Sequence, residues 1–248
     1  MSFLDGLFGG DKPTQKNIDK LVVRVKERYA QPEYRREAMD KLIAMATPEA
    51  ITGVIARFTV VAQSPHWDEE EKRWLVDQLS TLGEPARAAL LAFLCKADHI
   101  AFAAKALQRL DKPEQYVADL MASLAARPPE DHRSTQGKAE LVAALADTND
   151  ARAVGAIVPY LDDHSDDVRC GTVDALERLW ALPVEKVTAE EKMRAAIGDD
   201  SRSARVLRHT AAAMQRLGIS VDPTKALAPA VAEDFVIKDG KLQQAHAA

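Results

Sequence analysis

Asp166-Asp167-Val168-Arg169-Cys170-Gly171-Thr172-Val173-Asp174-Ala175-Leu176-Glu177-Arg178-Leu179 decides how the rest of this chain is read. Two acids open it, and an arginine follows within the first turn. Val168, Thr172, Ala175, Leu176 and Leu179 then recur at helical spacing. The segment reads as a helix whose apolar stripe must be buried against a neighbour. Its ending recurs in variant form: Ala38-Met39-Asp40-Lys41-Leu42, Gln78-Leu79-Ser80-Thr81-Leu82 and Ala106-Leu107-Gln108-Arg109-Leu110 come before it. Leu141-Val142-Ala143-Ala144-Leu145 also precedes it, and Ala213-Met214-Gln215-Arg216-Leu217 follows. The final leucines, from Leu42 to Leu217, are 28 to 40 residues apart. Irregular periods in that range, with two helices in each, mark a helical solenoid.

The pairs read as 14–29 with 32–45, 48–62 with 68–82, 85–95 with 100–110, 113–126 with 134–146, 150–162 with 166–180, and 189–197 with 202–217. Pro13, Pro32, Pro48, Pro85 and Pro113 stand near helix starts, where a missing N–H goes unnoticed. Gly83 and Gly218 follow second helices as C-terminal stops. The run Asp68-Glu69-Glu70-Glu71 reads as a solvated first turn favoured by the helix dipole.

Composition agrees. Hydrophobic residues make up 47% of the 248 positions but aromatics only 5%, a balance that suits close-packed helices. A net charge of −5 argues against a surface adapted as a whole to nucleic acid. Cys95 and Cys170 are isolated and fit reduced thiols in a cytoplasmic protein. No apolar run reaches transmembrane length, and no secretion signal is read.

Asp166-Asp167-Val168-Arg169, with Ala175-Leu176 and Leu179 behind it, resembles the second helix of a HEAT repeat. Ala153-Val154-Gly155-Ala156-Ile157-Val158-Pro159-Tyr160-Leu161 is similar to that family's first helix, and Gly83-Glu84-Pro85-Ala86-Arg87-Ala88-Ala89-Leu90-Leu91 resembles the same element. The resemblance covers roughly 14–218 and implies an all-α fold: a right-handed superhelix of about six pairs, first helices convex and second helices concave. It also implies a ladder of Asp and Arg between repeats, which would make Asp167 and Arg169 structural. The second repeat departs from the pattern with Lys72-Arg73, and the third lacks Asp-Val-Arg.

Three segments are expected: a flexible apolar peptide over 1–12, the solenoid over 13–219, and a cap over 220–248. In the first, Phe3, Leu4, Leu7 and Phe8 share a face ahead of a Gly9-Gly10 hinge and suit docking to a membrane or a partner groove, or capping of the first repeat. In the last, Phe235 to Leu242 reads as a β-hairpin turned at Asp239-Gly240, with Gln243 to Ala248 unstructured.

Binding candidates follow from these placements. Arg202, Arg205, Arg208, His209 and Arg216 form a helix with no acid between Ser201 and Leu217; it suits a phosphate, a nucleic-acid backbone or an acidic peptide. Pairing with Asp199, Asp200, Glu190 and Glu191 is the structural alternative. His66, His99, His132 and His164 recur at steps of 32 or 33 residues in within-repeat turns, beside acids. At roughly 10 Å between repeats they stand too far apart to share one metal.

Nothing marks an active site. Trp74-Leu75-Val76-Asp77 is one residue short of the Trp–Asp spacing of HEAT-like alkylpurine DNA glycosylases. The His-Glu pairs of deoxyhypusine hydroxylase are missing, and HEAT-like bilin lyases offer no motif to test. There is no Ser/His/Asp or Cys/His motif, phosphate loop or metal-spaced cysteine cluster. The expectation is a non-enzymatic scaffold for a protein or peptide, without cofactor or metal, and a nucleic-acid-binding protein is the rival.

Overall fold

The computed structural model describes residues 14–245; the Phe3, Leu4, Leu7 and Phe8 peptide lies outside them. Helix accounts for 66% of the described residues, and a two-stranded antiparallel sheet follows the last helices. The chain divides into two compact units, with the boundary after Tyr116.

The first unit holds α1 (Gln15–Val25), α2 (Pro32–Met45), α3 (Pro48–Ile55), α4 (Pro65–Leu79), α5 (Glu84–Leu94) and α6 (Ala101–Leu110). Prolines open α2, α3 and α4, and the Thr47 hydroxyl accepts the Ala50 N–H at 3.2 Å to cap α3. Here α1 packs on α3 and α3 on α5, while α2 packs on α4 and α4 on α6. First helices thus stack on first helices and second on second, with α1 on α2 and α5 on α6 tying the two rows. Gly53 permits the close approach of α3 to α1, because a Cβ there would stand 2.7 Å from the Val22 side chain.

The second unit takes up the remainder of α7 (Pro113–Ala125), then α8 (Thr135–Asp147), α9 (Ala151–Ile157), α10 (Asp166–Leu179), α11 (Val187–Ala196) and α12 (Ala204–Leu217). The α10 helix lies between α8 and α12 and also meets α9. That crowding explains its burial: Cys170 and Val173 join the five stripe residues in the core. A short α13 (Pro229–Ala232), not expected from the sequence, leads to β1 (Phe235–Lys238) and β2 (Lys241–Gln244).

The hairpin turns at Asp239-Gly240, both at positive φ (50° and 69°), the backbone that a tight antiparallel turn requires. It buries Phe235 and Leu242, and β2 lies on α12. The strand continues past the expected start of the unstructured end. Gln243 and Gln244 pair with Val236 and Phe235, and the Ala245 N–H donates to the Asp234 carbonyl at 2.9 Å.

Three helices are shorter than their apolar pattern. The 14–29 segment stops at Val25 because the Arg35 guanidinium takes the Glu27 and Ala30 carbonyls, at 3.0 and 2.6 Å, and turns the chain. The 48–62 and 150–162 segments pass into 3-10 turns, Ala56–Thr59 and Val158–Asp162. In the second, Pro159 has no N–H with which to continue an α-helical ladder. No helix among the described residues is long and apolar enough to cross a membrane.

Candidate functional site

The cationic face of α12 is matched by acids. Arg205 meets Asp167 at 2.7 Å, the His209 Nε2 lies 2.7 Å from the Asp174 carboxylate, and Arg216 donates twice to Glu177 at 2.5 and 2.8 Å. These three acids lie along the neighbouring α10. Arg202 donates to the Leu161 carbonyl, Asp162 and Asp199, and Arg208 pairs with Glu233 and Asp234. Of the alternative partners expected from the same repeat, only Asp199 takes part. The hydrogen bond from Arg216 holds the Glu177 carboxyl below its usual range, and Asp167 raises the Arg205 guanidinium. A phosphate arriving here must displace a carboxylate already in place.

Asp167 therefore joins neighbouring helices, whereas Arg169 pairs within its own helix, with Asp166. A further ladder runs along the ends of second helices: Arg109 pairs with Asp77, Arg178 with Asp147, and Arg216 with Glu177. Its signal is in the sequence, since each arginine stands immediately before the final leucine of its repeat. Trp74 and Asp77, the near-match to a glycosylase pair, are both engaged: the Arg36 guanidinium lies 3.2 Å above the Trp74 ring, and Asp77 holds Arg109.

The histidine row divides. His66 lies in the first turn of α4, 3.6 Å from Glu70, and His99 is exposed in the loop before α6. His132 and His164, expected about a helix diameter apart, have ring centroids at 4.2 Å. They close the distance because both stand in turns, where the chain is free of the spacing between helix axes. Behind them Asp163 is fully buried; it accepts from the Lys138 ammonium at 2.5 Å and lies 3.1 Å from the His164 Nδ1. Tyr160 donates to the Leu124 and Arg127 carbonyls at 2.6 and 3.1 Å, and burial, reinforced by the Asp163 charge, pushes its hydroxyl up to about 12. Arg133 holds the Asp131 carboxyl down to about 2. Among the described residues no three His, Cys, Asp or Glu side chains are grouped to hold a metal ion.

The run Asp68-Glu69-Glu70-Glu71 is not uniformly solvated. Asp68 and Glu71 are buried with Arg35, Arg57 and Lys72. Arg35 donates to both Glu71 oxygens, and Arg57 bridges Asp68 at 2.6 Å and Glu71 at 2.8 Å. Lys72 and the Ala62 N–H complete the Asp68 carboxylate at 2.7 and 2.8 Å. Burial pushes the Asp68 carboxyl up, but the hydrogen bonds from Lys72, Ala62 and Arg57 outweigh it and hold the group below its ordinary value. The run looked solvated because Arg35 and Arg57, two of its three cationic partners, come from α2 and the turn after α3.

This network fixes the start of α4 against α2, and above it lies the surface that the sequence reading missed. Trp67 is 46% exposed and Tyr29 72% exposed, with Tyr34 and Val61 exposed as well. Trp67 and Pro32 line two adjoining clefts of about 180 and 190 Å³. Glu33, Arg36, Glu70 and Glu71 complete the first, while Arg28, Tyr29, Arg35, Gln63 and Ser64 contribute to the second. The signal was two tyrosines flanking a proline in Tyr29-Ala30-Gln31-Pro32-Glu33-Tyr34, beside a tryptophan in a polar turn. The second unit has a larger cleft of about 590 Å³ between α11 and residues 221–227, edged by Glu191, Arg194 and Lys225. Compared with family models, with curated proteins and with solved structures, the chain matches none.

Proposed function

We propose that this chain is a non-enzymatic interaction module built of HEAT-like repeats, three helix pairs to a unit, and that the second-helix side of the first unit grips a peptide or helical protein. The resemblance of Asp166–Leu179 and the stacking of like helices on like support the repeat reading. In the HEAT repeat that the chain resembles, the second helices form the concave, partner-facing side. The observation that carries the binding reading is Trp67: a half-exposed indole set between two clefts, on a helix start held rigid by buried ion pairs. Rigid aromatic side chains at such places dominate interface energetics because they bury much surface for little lost freedom.

The rival, nucleic-acid binding by α12, loses support from the pairing of its cations with α10 and the C-terminal segment. One comparison tests both. Tyr29→Ala with Trp67→Ala is expected to lose the proteins that the intact chain retains from lysate, while Arg205→Glu with Arg208→Glu keeps them. Retention of the same set by the aromatic double variant overturns the proposal. Salt-sensitive binding of a fluorescent 30-nucleotide strand, lost in the arginine variant, would favour the rival.

A further inference from the structure

We infer that the cleft between the starts of α2 and α4 is a socket for the arginine or lysine side chain of an extended basic peptide. This inference rests on the reading of the first unit's aromatic surface as the partner site, and it names the chemistry that surface selects.

The argument is one of charges left over. Four charged residues line the cleft with Trp67 and Pro32: Glu33, Arg36, Glu70 and Glu71. Glu71 is neutralised from behind by Arg35 and Arg57. Arg36 is committed to the Trp74 ring and lies 3.8 Å from Asp40. Among the described residues neither Glu33 nor Glu70 has a lysine or arginine salt bridge; Glu70 has His66 at 3.6 Å, and the field of Glu70 also reaches Arg36. Two carboxylates therefore border a cleft whose wall is a half-exposed indole. A cation over an aromatic face within about 6 Å, with carboxylates at its edge, gains from both the ring quadrupole and the charges.

The adjoining cleft has no acidic residue in its lining and carries Arg28, whose Nε donates to the Val61 carbonyl at 3.0 Å. Its polarity is opposite to that of the first. Trp67 belongs to both, so a chain crossing the indole meets an anionic socket on one side and a cationic, polar one on the other. That asymmetry selects which residue of the peptide enters which cleft. Side chains of an extended peptide on one face lie about 7 Å apart, so the cation's neighbours fall across Trp67 and Tyr29.

The test follows the indole N–H signals of the full-length chain by NMR; its three tryptophans give three, and Trp67→Phe identifies the one that matters. The probes are acetylated, amidated peptides Ala-Pro-Xaa-Ala-Pro-Ala with Xaa as Arg, Gln or Glu. The Arg peptide is expected to shift the Trp67 signal with a Kd at least tenfold below that of the Gln peptide, and the Glu peptide to be weakest. Glu33→Gln with Glu70→Gln, both exposed and so harmless to folding, should bring the Arg peptide to the level of the Gln peptide. Equal shifts by all three peptides would overturn the cation socket while leaving the aromatic surface as a peptide site. No shift of Trp67 by any of them at millimolar concentration would also overturn the socket, and the capture experiment then judges the surface on its own.

Discussion

The two units meet the same problem with different chemistry. In each, a first helix gives way to a 3-10 turn, and in each a buried side chain from that turn anchors the break. In the first unit it is Arg57, which donates to the Val60 carbonyl and to two carboxylates. In the second it is Tyr160, which donates only to carbonyls. A cation reaches forward from the preceding second helix in both, Arg35 to Glu71 and Lys138 to Asp163. A turn N–H also completes one acid in each unit, Ala62 for Asp68 and Ser165 for Asp163. The same kind of helix break can thus be held by a five-member ionic network or by one ion pair and a phenol. The network is the one that lies beneath the exposed aromatics. A surface that must hold shape against a partner benefits from directional, fully satisfied charge pairs below it.

The largest effects should come from leaving one of these buried cations without its acid. Glu71→Gln strands Arg35 and leaves Arg57 with Asp68 alone, and Asp163→Asn strands Lys138; each is expected to cost about 3–5 kcal/mol in urea unfolding. Hydrogen exchange should accelerate in α2 to α4 for the first variant and in α8 to α10 for the second. A loss under about 1 kcal/mol in either would break the parallel between the two clusters.

Tyr160→Phe removes two hydrogen bonds and should cost about 1–2 kcal/mol at neutral pH. Its pH dependence sharpens the comparison. With the folded hydroxyl raised to about 12, the stability from the neutral phenol is complete below the unfolded value near 10 and is lost as the pH climbs from about 10 to 12. The wild-type advantage over Tyr160→Phe should therefore narrow across that window. An unchanged gap would mean the hydroxyl is not sequestered.

At the acid end the sign reverses. Asp68, like Glu177, is held below its ordinary value, so its contribution is present above about pH 4 and fades as the pH falls. Asp68→Asn should flatten the acid limb of the stability curve, and a limb as steep as that of wild type would shift the burden to other carboxylates. The smallest effect belongs to the exposed ladder. Arg178→Ala with Asp147→Ala in a double-mutant cycle should give less than about 1 kcal/mol, falling further in high salt.

Much of the fold was legible. The recurring endings located the second helices, and Asp239-Gly240 placed the hairpin's turn to the residue, because both signals are local. What stayed hidden depends on partners 11 to 39 residues away in sequence. Asp68 and Glu71 read as solvent-facing until Arg35 and Arg57 were set beside them, and His132 and His164 read as distant until their turns were seen to converge. The basic α12 could be read but not its neutralisation, since Asp167, Asp174 and Glu177 are spaced along a different helix. Trp67 was overlooked because it occupies a polar turn, the ordinary setting of a surface residue.

The C-terminal hairpin constrains how such a molecule can change in length. The last helix of a stack presents a face that another pair would occupy, and here α13 and the hairpin cover α12 while Ser220 and Val221 join the hairpin through Lys241 and Gly240. Adding a helix pair at that end would mean prising off a seated lid. Lengthening the molecule there would first expose the buried Phe235 and Leu242 and uncover the face of α12 on which β2 lies.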